Sequence, residues 1–369
     1  MRVVLAGGGS AGHVNPLLAT AAEIQRRHPD AELHVLGTEL GLETELVPAA
    51  GLPLTFVPRA RVPRSLSPEW FALPGRLAKA VSVSKELVER VDPDVVVGFG
   101  GYVSTPAFLA AKGRPIVVHE GNARPGLANR YGARTAKVVA LTFPSTPLVA
   151  KKGTTLVTGL PLRAPIARLV EERTSGRGDA ARESGAAALG LDPVLPTLLI
   201  TGGSLGALSI NNAASGAIAD LASRGQVLHI TGKGKDTPVR EAWQAAGSPP
   251  NYHILDYLTV MEQAYAVADV VLTRSGAGMV SELGALGIAG VFVPLPIGNG
   301  EQRLNAADTI AAGGGILVDD KDLSPELVRE TAGGLLSDPA AAHEIGRKAQ
   351  GVAPHDGAKR LVDAIEECL

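Results

Sequence analysis

The sequence predicts an α/β protein of two Rossmann-like, doubly wound parallel-sheet domains that face each other across a cleft. Short apolar runs such as Val3-Val4-Leu5-Ala6 and Leu198-Leu199-Ile200-Thr201 alternate with helical stretches, the pattern of strands covered on both faces of a parallel sheet. Each of these two runs enters a glycine-rich loop and then a helix, and Gly8-Gly9-Ser10-Ala11-Gly12 is echoed by Gly202-Gly203-Ser204-Leu205-Gly206. The chain's 369 residues also exceed the size at which one hydrophobic core usually stops growing.

A second echo supports the duplication. Asp94-Val95-Val96-Val97, a glycine-rich loop, a helix and Pro115-Ile116-Val117-Val118 match Asp269-Val270-Val271-Leu272, Ser275-Gly276-Ala277-Gly278 and Gly290-Val291-Phe292-Val293. The domain change is expected near Pro161 to Pro165. Glu171 to Ala188, rich in charge, Gly, Ala and Ser without an apolar period, reads as a surface connection followed by a helix start. The last segment, Lys359 to Leu369, has an amphipathic helical pattern.

Composition narrows the function classes. Lys plus Arg number 35 against 37 Asp plus Glu, so no global positive field draws the chain onto nucleic acid, and an anionic partner must be met locally. The single Cys368 leaves no intramolecular disulfide or cysteine zinc cluster, fits a reducing compartment, and reads as an inert tail thiol. The apolar run before Gly7 is too short for a signal sequence and no stretch reaches about 18 apolar residues, so neither secretion nor membrane threading is expected.

The loops carry the chemistry. Gly7-x-Gly9-x-x-Gly12 matches the dinucleotide fingerprint, in which small residues let backbone N–H groups approach a pyrophosphate. An NAD site also wants an acid at the end of the second strand, where Glu39 is the only nearby residue of that kind. His13 follows at the helix N-terminus, where the dipole favours a neutral imidazole that can accept a hydroxyl proton; capping the helix is its plainer role. Gly202 to Gly206 forms either a second anion nest, with Ser204 donating to a diphosphate, or simply a tight turn. Arg274 to Glu282 places small residues at a strand end and then a carboxylate, Glu282, able to hold ribose hydroxyls or to complement the helix dipole. His119-Glu120-Gly121-Asn122 clusters polar groups at the end of another strand, where parallel sheets keep their ligands. Asp92-Pro93-Asp94 has the letters of a metal-binding Asp-x-Asp but precedes its strand, so it is expected to be a turn. Without a metal, a leaving diphosphate would be neutralised by helix N-termini, hydroxyls and Arg163.

From Arg59 to Lys85 the chain mixes Arg59, Arg61, Arg64, Arg76, Lys79 and Lys85 with Leu66, Trp70, Phe71, Leu73 and Leu77. This composition suits a segment lying on an anionic lipid surface, and equally an amphipathic helix packing its apolar side inward.

Taken together, Gly8 to His13, Gly100-Gly101-Tyr102-Val103-Ser104, His119 to Arg130, Gly202 to Ala207 and Arg274-Ser275-Gly276-Ala277 with Glu282 resemble the MurG family of glycosyltransferases, and they span nearly the whole chain. The resemblance implies a GT-B fold. It also implies an inverting, metal-independent enzyme with no cofactor, which transfers N-acetylglucosamine from UDP-N-acetylglucosamine to the C4 hydroxyl of the muramyl sugar of lipid I, giving lipid II and UDP. It further implies an acceptor and membrane-associating domain over 1–162, a donor domain over 163–345 and a helix within 346–369 that returns to the first domain. The protein is expected in the cytoplasm, peripheral on the cytoplasmic face of the cell membrane through Arg59 to Lys85.

Carried over by position, the resemblance implies donor contacts from Ser10, Ala11, Gly12, Asn122, Arg163, Ser204, Leu258 against the uracil, Ala277, Gly278, Met279, Val280, Ser281, Glu282 on the ribose, and Gln302 on the transferred sugar. Gly9, His13, Tyr102 and Asn129 would meet the acceptor, and His13 or Glu120 would take the proton. Gly121, Thr105, Leu160 and Gly278-Met279 depart from the family's usual Gln, Gly, Asn and Leu-Thr, which bears on substrate preference. A UDP-sugar 2-epimerase, a related glycosyltransferase with another acceptor, an NAD-dependent oxidoreductase and a silent sugar-nucleotide sensor are the competing readings.

Overall fold

The computed structural model describes residues 1–58, 69–297 and 299–369, with backbone alone at 69–71. The chain divides into two compact units, one formed by Met1–Arg163 with Asp356–Leu369 and the other by Ala164–His355.

The first unit carries seven strands: β1 (Arg2–Ala6), β2 (Glu32–Gly37), β3 (Leu54–Phe56), β4 (Val95–Gly98), β5 (Ile116–Glu120), β6 (Val138–Leu141) and β7 (Thr154–Val157). They pair in the order β3-β2-β1-β4-β5-β6-β7. The second unit carries β8 (Thr197–Thr201), β9 (Gln226–Ile230), β10 (Tyr252–Leu255), β11 (Val270–Thr273), β12 (Ala289–Phe292) and β13 (Gly315–Leu317), ordered β10-β9-β8-β11-β12-β13. All pairings are parallel. The two sheets therefore share one winding plan, as the repeated loops predicted.

The central strands are apolar throughout because helices cover both sides. In β4, Val95 and Val97 join one core with Leu17, Ile24 and Leu361, while Val96 joins another with Ala80, Leu87 and Val118 on the opposite face. The terminal helix Gly357–Glu366 belongs to the first unit, packing Leu361, Val362, Ala364 and Ile365 beside Leu17, Ala21 and Ile24 of the helix Ala11–Arg27. Each such leucine, isoleucine or valine contributes about 1.5–3 kcal/mol by leaving water. Arg27 adds contacts to Asp363 at 2.5 Å and Glu366 at 3.2 Å. Residues 346–355, expected with this returning helix, lie instead in the second unit, because the helix Pro339–Gln350 packs on Ala277–Leu286 and β12.

The stretch expected to be a surface connection is helical, Ala164–Thr174 followed by Gly178–Leu189. Ile166, Leu169 and Val170 make a short buried stripe on the first. The second buries Gly185 and Ala186, and a side chain at Gly185 would meet the Gln263 carbonyl at 2.7 Å. Its packing against Met261–Val267 thus rests on small residues that let backbones approach, which an apolar period does not reveal.

Asp92 sits at φ +48° before β4 and pairs with Arg2 and Arg114, so Asp92-Pro93-Asp94 is a turn at the strand's N-terminal end. Arg59, Arg61, Arg64 and Leu66 lie outside the described residues, and Trp70 and Phe71 supply backbone to the helix Glu69–Val91. Further along that helix Leu73 and Leu77 pack against the core, and Arg76 and Lys79 are exposed. Of the two readings of this stretch, the i, i+4 spacing of Leu73 and Leu77 serves inward packing. No helix among the described residues is long and apolar enough to cross a membrane.

Candidate functional site

Each sheet changes winding direction beside its first strand, between β1 and β4 in one unit and between β8 and β11 in the other, and doubly wound folds bind ligands at that switch point. The glycine-rich loops lie at these two places.

In the first unit the loops after β1 and β4 touch. Gly100 and Gly101 adopt φ +99° and +75°, and a side chain there would press on His13 Nε2 or the Gly8 carbonyl, each at 2.9 Å. Only glycine permits both this backbone and this approach. Ser104 secures the second loop: its hydroxyl accepts from Gly100 N–H at 3.0 Å and lies 2.8 Å from Gly100 O and 3.1 Å from Ala6 O. Tyr102 sits on this loop, partly buried against the core.

His13 is the third residue of the helix Ala11–Arg27, with Nδ1 3.1 Å from Gly8 O and 3.2 Å from Ser10 Oγ. A carbonyl only accepts, so the Gly8 contact calls for the proton on Nδ1 and leaves the Nε2 lone pair available. Ser10 is the N-cap but its side chain caps no backbone N–H, and Ser10, Ala11 and Gly12 are exposed, so the first-turn N–H groups can face an anion.

Glu120 ends β5, almost wholly buried. Its Oε1 accepts from Asn122 N–H at 3.0 Å, and its Oε2 from Gly126 N–H at 2.9 Å and Asn129 Nδ2 at 3.0 Å. Burial raises its pKa above the usual carboxylate value, against the opposing pull of these bonds and of the His13 charge. Asn129 also donates to the His119 carbonyl at 3.0 Å, while its buried Oδ1 has no hydrogen-bond partner among the described residues. His119 is buried, lies 3.4 Å from Thr142 Oγ1, and is pushed down to about 4 by desolvation. Leu160 packs beside Gly121, so these two departures from the family pattern are neighbours.

The second unit repeats the design. After β8, Gly203 and Gly206 are left-handed and Ser204 is exposed at the loop tip. A side chain at Gly206 would collide with the Thr231 carbonyl, so this loop also lies hard against the end of β9. After β11 the helix Ala277–Leu286 starts at Gly276 with no side-chain cap. Ala277, Gly278, Met279 and Ser281 are partly exposed, whereas Val280 is buried and its N–H is held by Gly276 O. The helical period thus turns Val280 toward the core while its neighbours stay partly exposed. Glu282 accepts from Tyr265 OH at 2.9 Å. Leu258 is partly exposed in the loop after β10, and Gln302, in the first turn of Glu301–Ala311, accepts from Leu295 N–H at 2.9 Å.

Of the residues singled out from sequence, Gly9, Ser10, Ala11, Gly12, His13, Tyr102, Glu120, Asn122, Asn129 and Arg163 fall in the first unit, and Ser204, Leu258, Ala277 to Glu282 and Gln302 in the second. Two participants went unnoticed, the buried Glu43 and the partly buried Asp320. Glu43, fully buried, accepts from Gly9 N–H beneath the first loop, while Glu39, the acid considered for a dinucleotide ribose, is exposed. Arg274 bonds Asp320 at 2.5 Å and Ser209 at 2.8 Å, bracing the second switch point. Glu43 and Asp320 are distant in sequence from what they hold and carry no local signal.

Comparison with known proteins agrees with this geometry. Residues 3–141 match the glycosyltransferase family 28 N-terminal domain and residues 197–361 its C-terminal domain. A protein of Paenarthrobacter aurescens named UDP-N-acetylglucosamine–N-acetylmuramyl-(pentapeptide) pyrophosphoryl-undecaprenol N-acetylglucosamine transferase is 46% identical over all of this chain and 96% of its own length. Its namesake from Streptomyces coelicolor is 45% identical, over all of this chain and 98% of its own. The crystal structure of MurG from Acinetobacter baumannii superposes with a TM-score of 0.78 at 28% identity, covering 99% of both chains. A UDP-GlcNAc 2-epimerase from Neisseria meningitidis, covering both chains in full with a TM-score of 0.69, is only 15% identical and shares the fold alone.

The chain therefore belongs to glycosyltransferase family 28, and within it to the MurG group.

Proposed function

We propose that this enzyme transfers N-acetylglucosamine from UDP-N-acetylglucosamine to the C4 hydroxyl of the muramyl sugar of lipid I, releasing UDP and lipid II. The observation that carries the reading is identity of 45–46%, over the full chain, with relatives named for that transfer.

The acceptor O4 attacks the anomeric carbon from the face opposite the diphosphate. As the O4–C1 bond forms, the bond from C1 to the phosphate oxygen breaks and UDP leaves with the electron pair, inverting the centre. His13 Nε2 takes the O4 proton, because its Nδ1 is already engaged with Gly8 O and Nε2 is the open acceptor. Glu120, with both oxygens occupied by donors, orders the loop that carries Asn122 and the helix Leu127–Gly132 that carries Asn129 rather than receiving the proton. Charge on the departing diphosphate is met by N–H groups at Ala277, Gly278 and Met279 and by the Ser204 hydroxyl, with no metal required. Glu282 holds the ribose, and Leu258 and Gln302 flank the base and the sugar. The acceptor's lipid places the enzyme at the cytoplasmic face of the membrane, with Arg76 and Lys79 among its exposed basic residues.

The test incubates purified protein with radiolabelled UDP-N-acetylglucosamine and chelator, with and without a short-chain lipid I analogue. Acceptor-dependent labelling of lipid and release of UDP support the reading. Conversion of the donor alone to its 2-epimer, or binding without transfer, overturns it.

A further inference from the structure

The peptide group between Gly8 and Gly9 is engaged at both ends. Its carbonyl lies 3.1 Å from His13 Nδ1, and its N–H points at Glu43, 2.9 Å from Oε2 and 3.1 Å from Oε1. Glu43 comes from the first turn of the helix Glu43–Ala49, 34 residues away from Gly9, and its side chain is wholly buried. Thr38 donates to Oε1 twice, through N–H at 2.9 Å and the hydroxyl at 2.6 Å. Side chains at Gly8 or Gly41 would collide with the carboxylate, so both glycines clear its seat. A buried charge is tolerated only when such donors replace water. Although burial raises its pKa, the Thr38 hydroxyl and the N–H groups outweigh that, and the acid is held below its ordinary value.

We propose that Glu43 is a positioning residue for His13, acting through the Gly8–Gly9 peptide to hold the imidazole with its proton on Nδ1 and its lone pair on Nε2. A negative charge accepting from the peptide N–H draws electron density toward the carbonyl at the other end, which strengthens that carbonyl as an acceptor for the Nδ1–H. Catalytic histidines commonly have one nitrogen fixed by a carboxylate directly; here one peptide unit stands between. The same contact occupies the Gly9 N–H, so that donor is not open to a dinucleotide pyrophosphate despite the dinucleotide-like glycine spacing. The proposal rests on the reading of His13 as the base, and its test separates the two.

The experiment uses the full chain with 15N-labelled histidine, reading the ring tautomer of His13 by NMR at a pH where the ring is neutral, alongside steady-state kinetics. Wild-type His13 is expected as the Nδ1–H form. In Glu43→Gln the Nε2–H form should become populated and kcat fall about 10- to 100-fold, the range for losing a histidine's outer partner, with affinity for UDP-N-acetylglucosamine unchanged. An Nε2–H tautomer in the wild type, a reading independent of any variant's folding, overturns the proposal. So does a Glu43→Gln protein with unaltered tautomer and kcat. If His13→Ala retains turnover while the tautomer still depends on Glu43, the base assignment fails and the positioning role stands.

Discussion

The hydroxyl of Tyr265 donates a 2.9 Å hydrogen bond to Oε2 of Glu282, fixing the carboxylate of one helix from the end of another. Tyr265 is 1% exposed, so its ring cannot swing away without leaving the core. If Glu282 binds the ribose, Tyr265→Phe should raise KM for UDP-N-acetylglucosamine about 2- to 10-fold with kcat nearly constant, the value of one hydrogen bond. Glu282→Ala should raise it further. Steady-state kinetics would show the opposite split, lowered kcat at constant KM, if the carboxylate served the chemistry instead.

His13→Ala should cut kcat about 10²- to 10⁴-fold, the usual contribution of a general base, while calorimetric titration finds the donor bound as before. Glu120→Gln should act differently. An amide NH2 would face one of the N–H donors of Asn122 or Gly126 and leave it unpaired, at a cost of about 1–3 kcal/mol. Denaturant unfolding should therefore report a stability loss for Glu120→Gln that His13→Ala lacks.

Each unit buries a histidine held neutral. His119 is pushed down to about 4 and His229 to about 3, both by desolvation, and His229 is further enclosed by Tyr252 OH at 2.8 Å and Asn211 Oδ1 at 3.1 Å. Below about pH 6.5 the unfolded chain protonates these rings and the folded chain does not, so the unfolded state binds more protons and stability falls with pH. The loss should run from about 6.5 down to about 4 in the first unit and about 3 in the second. Calorimetric melting at pH 7, 6 and 5 should show falling midpoints, with His229→Asn reducing the slope.

Docking of the terminal helix should be separable into packing and charge. Ile365 is fully buried, and Ile365→Ala should cost about 2–5 kcal/mol in urea unfolding. Glu23 is held at about 2, chiefly by its hydrogen bond with Arg26 and also by Arg27, the residue that reaches Asp363. Its contribution is present above its unfolded pKa and is lost as pH falls from about 4.5 toward about 2. Glu23→Gln should flatten acid unfolding in that window and leave the loss between 6.5 and 4.5 unchanged.

Much of this was legible before the structure because it is local. Val3-Val4-Leu5-Ala6 must be buried wherever it pairs, Gly7 to Ser10 must be a loop that approaches something closely before the helix begins at Ala11, and the recurrence of both at Leu198 to Gly206 implies a second copy. The wrong position of Asp92-Pro93-Asp94 for a metal followed from strand direction alone. Glu171 to Ala188 misled because alanine and glycine build a helix interface through close backbone approach, with no large side chains to mark a buried face.

The sequence by itself determined two α/β halves, the loops at their strand ends and, through the motifs in order, the family. Only the tertiary structure decided that Leu73 and Leu77 serve the core, that Val280 turns inward while Glu282 meets Tyr265, and that Glu43 closes on Gly9 from 34 residues away. The reason is physical. Periodicity and glycine spacing report what a residue's own backbone requires, whereas a buried carboxylate or a helix face is settled by partners that strand order brings together, and strand order is a property of the whole sheet.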